Sequence, residues 1–227
     1  MQSPVSHKIL NQQFWLTIDR TMFWEEEKAL IVSDLHFGKT GHFRKSGIAI
    51  PPSVYKEDLQ RLVVQIQHFQ PGELIIVGDM FHSSANKELE LFLKWRSDLS
   101  GIKIRLIRGN HDILQEDWYA SAGIQLSQQS MSRQQFHFVH DISTHTEGGK
   151  GNLNDNPGKQ SYFFSGHIHP GIRIQGAGKQ SLCFPCFYFG KKYAVLPAFS
   201  RFTGGGPIEA EEGDRVFAVA EGRVVEV

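Results

Sequence analysis

The chain has 227 residues, enough for one large domain with a sizeable core. Its 24 lysines and arginines balance 24 aspartates and glutamates, which excludes a global basic field of the kind that coats nucleic acid but leaves cutting it open. With two cysteines, no apolar leader and no apolar run near the ~20 residues of a membrane span, a soluble cytoplasmic protein is expected.

Residues 1–13 are polar and read as frayed or short. Phe14 to Ile18 and Thr21 to Trp24 read as paired strands, and Glu25 to Lys28 as a solvated charge run. Ala29-Leu30-Ile31-Val32 is an apolar run that leads into Asp34-Leu35-His36. The following loop, broken by Gly38, Gly41 and Gly47, interleaves Lys39, His42, Arg44 and Lys45 with Phe37 and Phe43. Lys39, Arg44 and Lys45 are candidate contacts to a phosphate or a nucleic-acid backbone. Pro51-Pro52-Ser53 opens a helix, and Leu59, Leu62, Val63, Ile66 and Phe69 follow helical spacing up to Pro71-Gly72. Leu74 to Val77 is a strand ending in Gly78-Asp79, and His82 sits in the short loop beyond. A second helix is expected from Asn86 to Leu99. A strand to Ile107 then runs into Gly109-Asn110-His111-Asp112, and a third helix covers Leu114 to Ala122.

This β-α-β-α-β-α order implies a parallel sheet with right-handed crossovers, an α/β core. After Gly123 the runs at 136–139, 161–164, 172–174, 193–196, 215–219 and 223–227 are short strands separated by glycine-rich turns. They predict a second sheet packed on the first, with a closing hairpin at Glu221-Gly222. Residues 144–160, rich in glycine and asparagine, read as a long loop suited to a lid. No linker divides the chain, so residues 1–227 are expected to form a single domain. Cys183-Phe-Pro-Cys186 has redox-pair spacing but no thioredoxin-like context, and reads as two packed thiols.

Five apolar runs end in Asp, Asn or His. The first three lead to Asp34/His36, Asp79 and Asn110. Phe136 to Val139 leads to His140, and Tyr162 to Phe164 leads to Gly166-His167-Ile168-His169. Clefts of α/β sheets bind ligands at such strand ends. Asp34, His36, Asp79, Asn110, His140, His167 and His169 are seven candidate ligands, too many for one ion and suited to two that share a carboxylate. Mixed nitrogen and oxygen donors favour divalent transition metals, Mn, Fe, Zn, Ni or Co, over Ca or Mg.

These motifs, in this order, resemble the set of the calcineurin-like metallophosphoesterases. The resemblance implies a four-layer α/β/β/α sandwich of two packed mixed sheets flanked by helices, with two divalent ions, Mn foremost. Asp34, His36 and His169 would hold one ion, Asn110, His140 and His167 the other, and Asp79 would bridge. His111 would act over the substrate as an acid or electrostatic group. Beside it, Asp112 reads as a catalytic-site partner that orients His111, or as a helix cap. Leu35 to Lys39, Phe43 to Pro51, and Leu196 to Ser200 with Gly204-Gly205 are similar to the ligase-associated DNA damage response endonucleases within that family. That similarity implies a phosphodiesterase cutting DNA in repair, with DNA ligase and helicase partners. A phosphatase or pyrophosphohydrolase of nucleotides would share every metal residue. A metal-free binding scaffold on the same fold should have lost ligands, and none is missing. The apolar C-terminal strands are a candidate homodimer edge.

Overall fold

The computed structural model describes residues 3–37, 39, 53–82, 87–145, 161–175, 181–201 and 203–227. The first sheet takes its strands in chain order: β1 (Val5–Ile9), β2 (Gln12–Leu16), β3 (Met22–Trp24), β4 (Ala29–Ser33), β5 (Glu73–Val77), β6 (Lys103–Ile107) and β7 (Ile124–Ser127). β1 to β4 pair antiparallel and β4 to β7 parallel. The parallel crossovers carry α1 (Ser53–Phe69), α2 (Lys87–Asp98) and α3 (Glu116–Ser121).

The second sheet holds β8 (Ser130–Arg133), β9 (Phe136–Val139), β10 (Tyr162–Ser165), β11 (Pro170–Gln175), β12 (Ser181–Phe189), β13 (Tyr193–Val195), β14 (Gly206–Pro207), β15 (Arg215–Ala220) and β16 (Arg223–Glu226). Its main path runs β14-β11-β12-β13-β10-β9-β8, with the β15–β16 hairpin joined to β12. The β9–β10 and β10–β13 pairs are parallel, so this sheet too is mixed.

β4 and β5 are buried on both faces, which explains their unbroken apolar runs. Leu30, Val32, Leu74, Ile76, Ile104 and Leu106 face the helices, where Leu62, Ile66, Phe92 and Tyr119 meet them. Ala29, Ile31, Ile75, Val77 and Ile107 face the second sheet and pack on Phe136, Phe138, Phe164, Leu196 and Phe217. The chain thus forms the two packed mixed sheets flanked by helices that the family resemblance implies. Among the described residues, the α-helices lie on the first sheet. Ile142, in a 3-10 turn at Ile142–Thr144, packs with Val139 and Phe163 on the outer side of the second.

Five strands lie where the sequence patterns predict none, the two-residue β14 among them. β1 occupies the stretch expected to be frayed, and inward His7 and Ile9 alternate with outward residues. β7 and β8 are polar strands at sheet edges. β12 is hidden by Pro185, which cannot donate to a ladder. That proline stands where the strand changes partners, opposite Gly171 on β11 and just before the Cys186–Ala218 pairing with β15. The two cysteines are not a packed pair: Cys183 is exposed and Cys186 buried, both are free, and burial pushes the Cys186 thiol up to about 12. Residues 146–160 of the expected lid, and Arg44 and Lys45 of the basic loop, lie outside the described residues.

Candidate metal centre

The chain beyond β4 and β5 continues as one ladder. Asp34 N donates to Gly78 O, His36 N to Asp79 O, Phe37 N to Met80 O and His82 N to Phe37 O, at 2.8–3.2 Å. The second sheet joins through Gly166 N to His140 O at 3.0 Å, Leu196 N to Ser165 O at 2.8 Å, and Ser200 N to Asp34 O at 3.2 Å. These bonds, with His111 N donating to Asp79 Oδ1, bring the ends of β4, β5, β6, β9 and β10 to one place.

The backbone there is tightly coiled. Asp34, His36, Asp79, His167 and His169 all have φ between 48° and 70°. The left-handed region costs a residue with a Cβ on the order of 1 kcal/mol, and such residues gather where function requires them. Here it turns each side chain sharply off its strand end and into the cleft.

Two trios of donors result. Asp34, His36 and His169 offer ligand atoms within 4.8 Å of one another, and so do Asp79, His140 and His167. His36 Nε2 lies 3.3 Å from His169 Nε2, and His169 Nε2 lies 3.3 Å from Asp34 Oδ1. In the second trio His167 Nδ1 is 3.1 Å from His140 Nε2, and Asn110 Oδ1 is 3.0 Å from that same nitrogen. Asp79, a member of the second trio, also faces the first, with Oδ2 3.9 Å from His36 Nε2 and Oδ1 3.5 Å from His140 Nε2. All seven predicted ligands are therefore brought together.

The surroundings favour a cation. Burial, reinforced by Lys39 and His169, pushes His36 down to about 2, so its ring is neutral and has a lone pair to give. Facing imidazole nitrogens at 3.1–3.3 Å, beside carboxylate oxygens, are donors awaiting a shared acceptor of electron pairs. The mixed nitrogen and oxygen set suits divalent transition ions, so the residues present fit the two-ion site that the sequence predicts.

The His111 ring lies 5.4 Å from that of His36, and its backbone N donates to Asp79 Oδ1 at 2.9 Å. Asp112 does not orient the His111 ring, as the sequence reading expects. Its carboxylate is buried and accepts from Phe81 N at 3.0 Å and Gly109 N at 2.9 Å, stapling the loop after β5 to the loop after β6. Burial raises that carboxyl to about 7 against the pull of those N–H groups. Lys39 reaches the site: burial lowers its pKa, and the charges of Asp34 and Asp79 oppose the fall.

Sequence reasoning gives His82 no role, yet its ring lies 4.2 Å from His111 and 5.5 Å from His36. The signal was its position three residues past Asp79, in the same loop. The Gly204 carbonyl, 3.1 Å from His169 Nδ1, was not legible, because it comes from a turn remote in sequence.

The calcineurin-like phosphoesterase family model matches residues 28–170, which span every one of these side chains. The chain belongs to that family and is a metal-dependent phosphoesterase. Among solved structures it is similar to the nuclease MPE of Pseudomonas putida, with 28% identity, a TM-score of 0.80, and 99% of this chain and 100% of that one covered. It also matches Yfce, a phosphoesterase from E. coli, at 14% identity and a TM-score of 0.45, over 88% of this chain and 97% of that one. No curated protein matches it in sequence.

Proposed function

We propose that the protein is a two-metal phosphodiesterase whose substrate is DNA, a cytoplasmic nuclease akin to the ligase-associated, PdeM-like enzymes of repair. The observation that carries this reading is two trios of donors in one cleft, with Asp79 of one trio also facing His36 of the other. The likeness to a Pseudomonas putida nuclease along nearly the whole chain supports the choice of a diester over a monoester. Asp34, His36 and His169 would hold one ion, and Asn110, His140 and His167 the other, with Asp79 shared and manganese the first candidate. When bound, two such ions supply Lewis acidity and neutralise charge on the phosphoryl group.

The chain's own groups do the rest. Lys39 places a positive charge beside Asp34 and Asp79, where a phosphate oxygen would lie. His111, set by its backbone bond to Asp79, donates a hydrogen bond to a phosphoryl oxygen or a proton to the leaving oxygen. Asp112 acts as a positioning residue, holding the loop that presents Asn110 and His111.

The test is hydrolysis of a chromogenic diester against the matching monoester in manganese, followed by single-stranded DNA. Diester turnover should exceed monoester turnover, fall at least ~10³-fold in Asp79→Asn and fall ~10²–10⁴-fold in His111→Ala. Activity that survives Asp79→Asn would remove the shared-carboxylate site. Monoester turnover alone would assign a phosphatase.

A further inference from the structure

His169 faces two ways. Its Nε2 turns to Asp34 and His36, while its Nδ1 meets the Gly204 carbonyl at 3.1 Å. Gly204 lines a second space, a cleft of about 240 Å³ bounded by the start of β11, the middle of β12 and the turn after Ser200. His169 is the wall between this cleft and the metal ligands.

The cleft is cationic. Arg20 and Arg201 line it with Thr203, and among the described residues no carboxylate does. Arg20 Nη1 donates to the carbonyls of Ala198 at 3.1 Å and Ser200 at 3.0 Å, which fixes the guanidinium in place. A third guanidinium, Arg61, stands behind them and has the ion pairs to the nearby acids, Asp58 at 3.7 Å and Asp19 at 4.0 Å. Both charges also reach Arg20, and Asp58 reaches Arg201, so three guanidiniums share two carboxylates. Burial pushes Arg20 down to about 10, with the like charges of Arg61 and Arg201 adding to the fall, so it remains a cation at neutral pH. Arg201 is exposed, so the cleft opens to solvent. Two guanidiniums lining one cleft, one of them held by backbone carbonyls, are a receptor for a phosphate. A neutral chain has no global field to hold a polyanion, so its grip must be local.

We propose that this cleft is the subsite for a neighbouring phosphate of the substrate strand, and that Arg20 and Arg201 make the enzyme prefer a polymer to a small diester. The proposal rests on the nucleic-acid reading above. It assigns substrate contacts outside the Lys39 to Lys45 loop, on the opposite side of His169 from the other metal ligands.

Arg201 is the residue to change, because Arg20 also supports the Ala198–Ser200 backbone. Wild type, Arg201→Glu and Arg201→Lys would be assayed in manganese on (dT)12 and on bis(p-nitrophenyl) phosphate. The ratio of kcat/KM for (dT)12 to that for the small diester should fall about tenfold or more in Arg201→Glu and largely recover in Arg201→Lys. The slope of log KM for (dT)12 against log salt should shrink by about 0.7, the value for one lost contact to a single strand. Cys183, the exposed one of the two cysteines, also lines the cleft and reports its occupancy. In the metal-free full-length chain, (dT)12 should slow modification of Cys183 by a thiol reagent in wild type and not in Arg201→Glu. If wild type cuts (dT)12 while Arg201→Glu keeps the same ratio and Cys183 stays unprotected, the subsite is wrong and the nuclease reading stands. Equal loss on both substrates would overturn the subsite by showing that Arg201 acts through the metal centre. If wild type hydrolyses the small diester but neither cuts nor binds (dT)12, the nucleic-acid reading fails and takes the subsite with it.

Discussion

Asp79 meets both trios at once, and the glycines around it exist to let it do so. A Cβ on Gly109 would stand 2.9 Å from Asp79 Cγ and closer still to its backbone N. Gly109→Ala should therefore push the Asp79 carboxylate aside. Diester hydrolysis is expected to drop about 10²-fold, the size of effect that a 1 Å misplacement produces, and steady-state assays with a metal titration would show it. Asp112 makes a different prediction, because its carboxylate bonds backbone and not His111. Asp112→Ala strands two buried N–H groups and should destabilise the fold by about 2–4 kcal/mol, read from urea unfolding. A loss of activity with no loss of stability would instead return Asp112 to a direct role in the chemistry.

At the scale of elements, the edge strand β1 meets the second sheet through Ile9 and through the imidazole of His7. His7 lies 4.1 Å from the Phe189 ring and 5.2 Å from the Phe217 ring, and its Nδ1 accepts from Arg215 Nη1 at 3.0 Å. Burial, with the Arg215 charge adding to it, pushes His7 from 6.5 down to about 4. The folded value lies below the unfolded one, so the unfolded chain binds the extra proton. The contribution of His7 is thus complete above pH 6.5 and drains away as pH falls toward 4. Allowing for solvent screening, the loss should be about 2 kcal/mol. The difference in urea midpoint between wild type and His7→Phe, measured at pH 7.5 and pH 4.5, should change accordingly. A pH-independent difference would mean that His7 is not held neutral.

For the molecule as a whole, the layer between the sheets carries the site. Phe164 packs at 5.3–5.5 Å from Phe14, Phe136 and Phe138, and its strand β10 delivers His167 and His169. Phe164→Ala should cost about 3–5 kcal/mol in a guanidinium melt and raise the metal concentration needed for half activity, with activity recovering at saturating metal. Ligand-strand ends were legible in the sequence because β4, β5 and β10 are buried on both faces and read as continuous apolar runs that stop abruptly. The seven candidate ligands follow from that pattern, the crossover helices from helical spacing of apolar residues, and the closing hairpin from the turn at Glu221-Gly222. Long-range packing was not legible. His7 on β1, the Pro185 crossover in β12, the stapling by Asp112 and the Gly204 carbonyl on His169 all depend on partners distant in the chain. His82 was marked only by its place three residues past Asp79, and its meaning comes from the ring of His111. The most direct measurement is the metal content of the purified protein, by elemental analysis after manganese loading, beside Asp79→Asn under the same conditions. Two ions per chain in wild type, at most one in Asp79→Asn, and diester hydrolysis rising only as the second ion binds are the predicted result. A single ion in wild type, or full activity with one ion bound, would contradict the account.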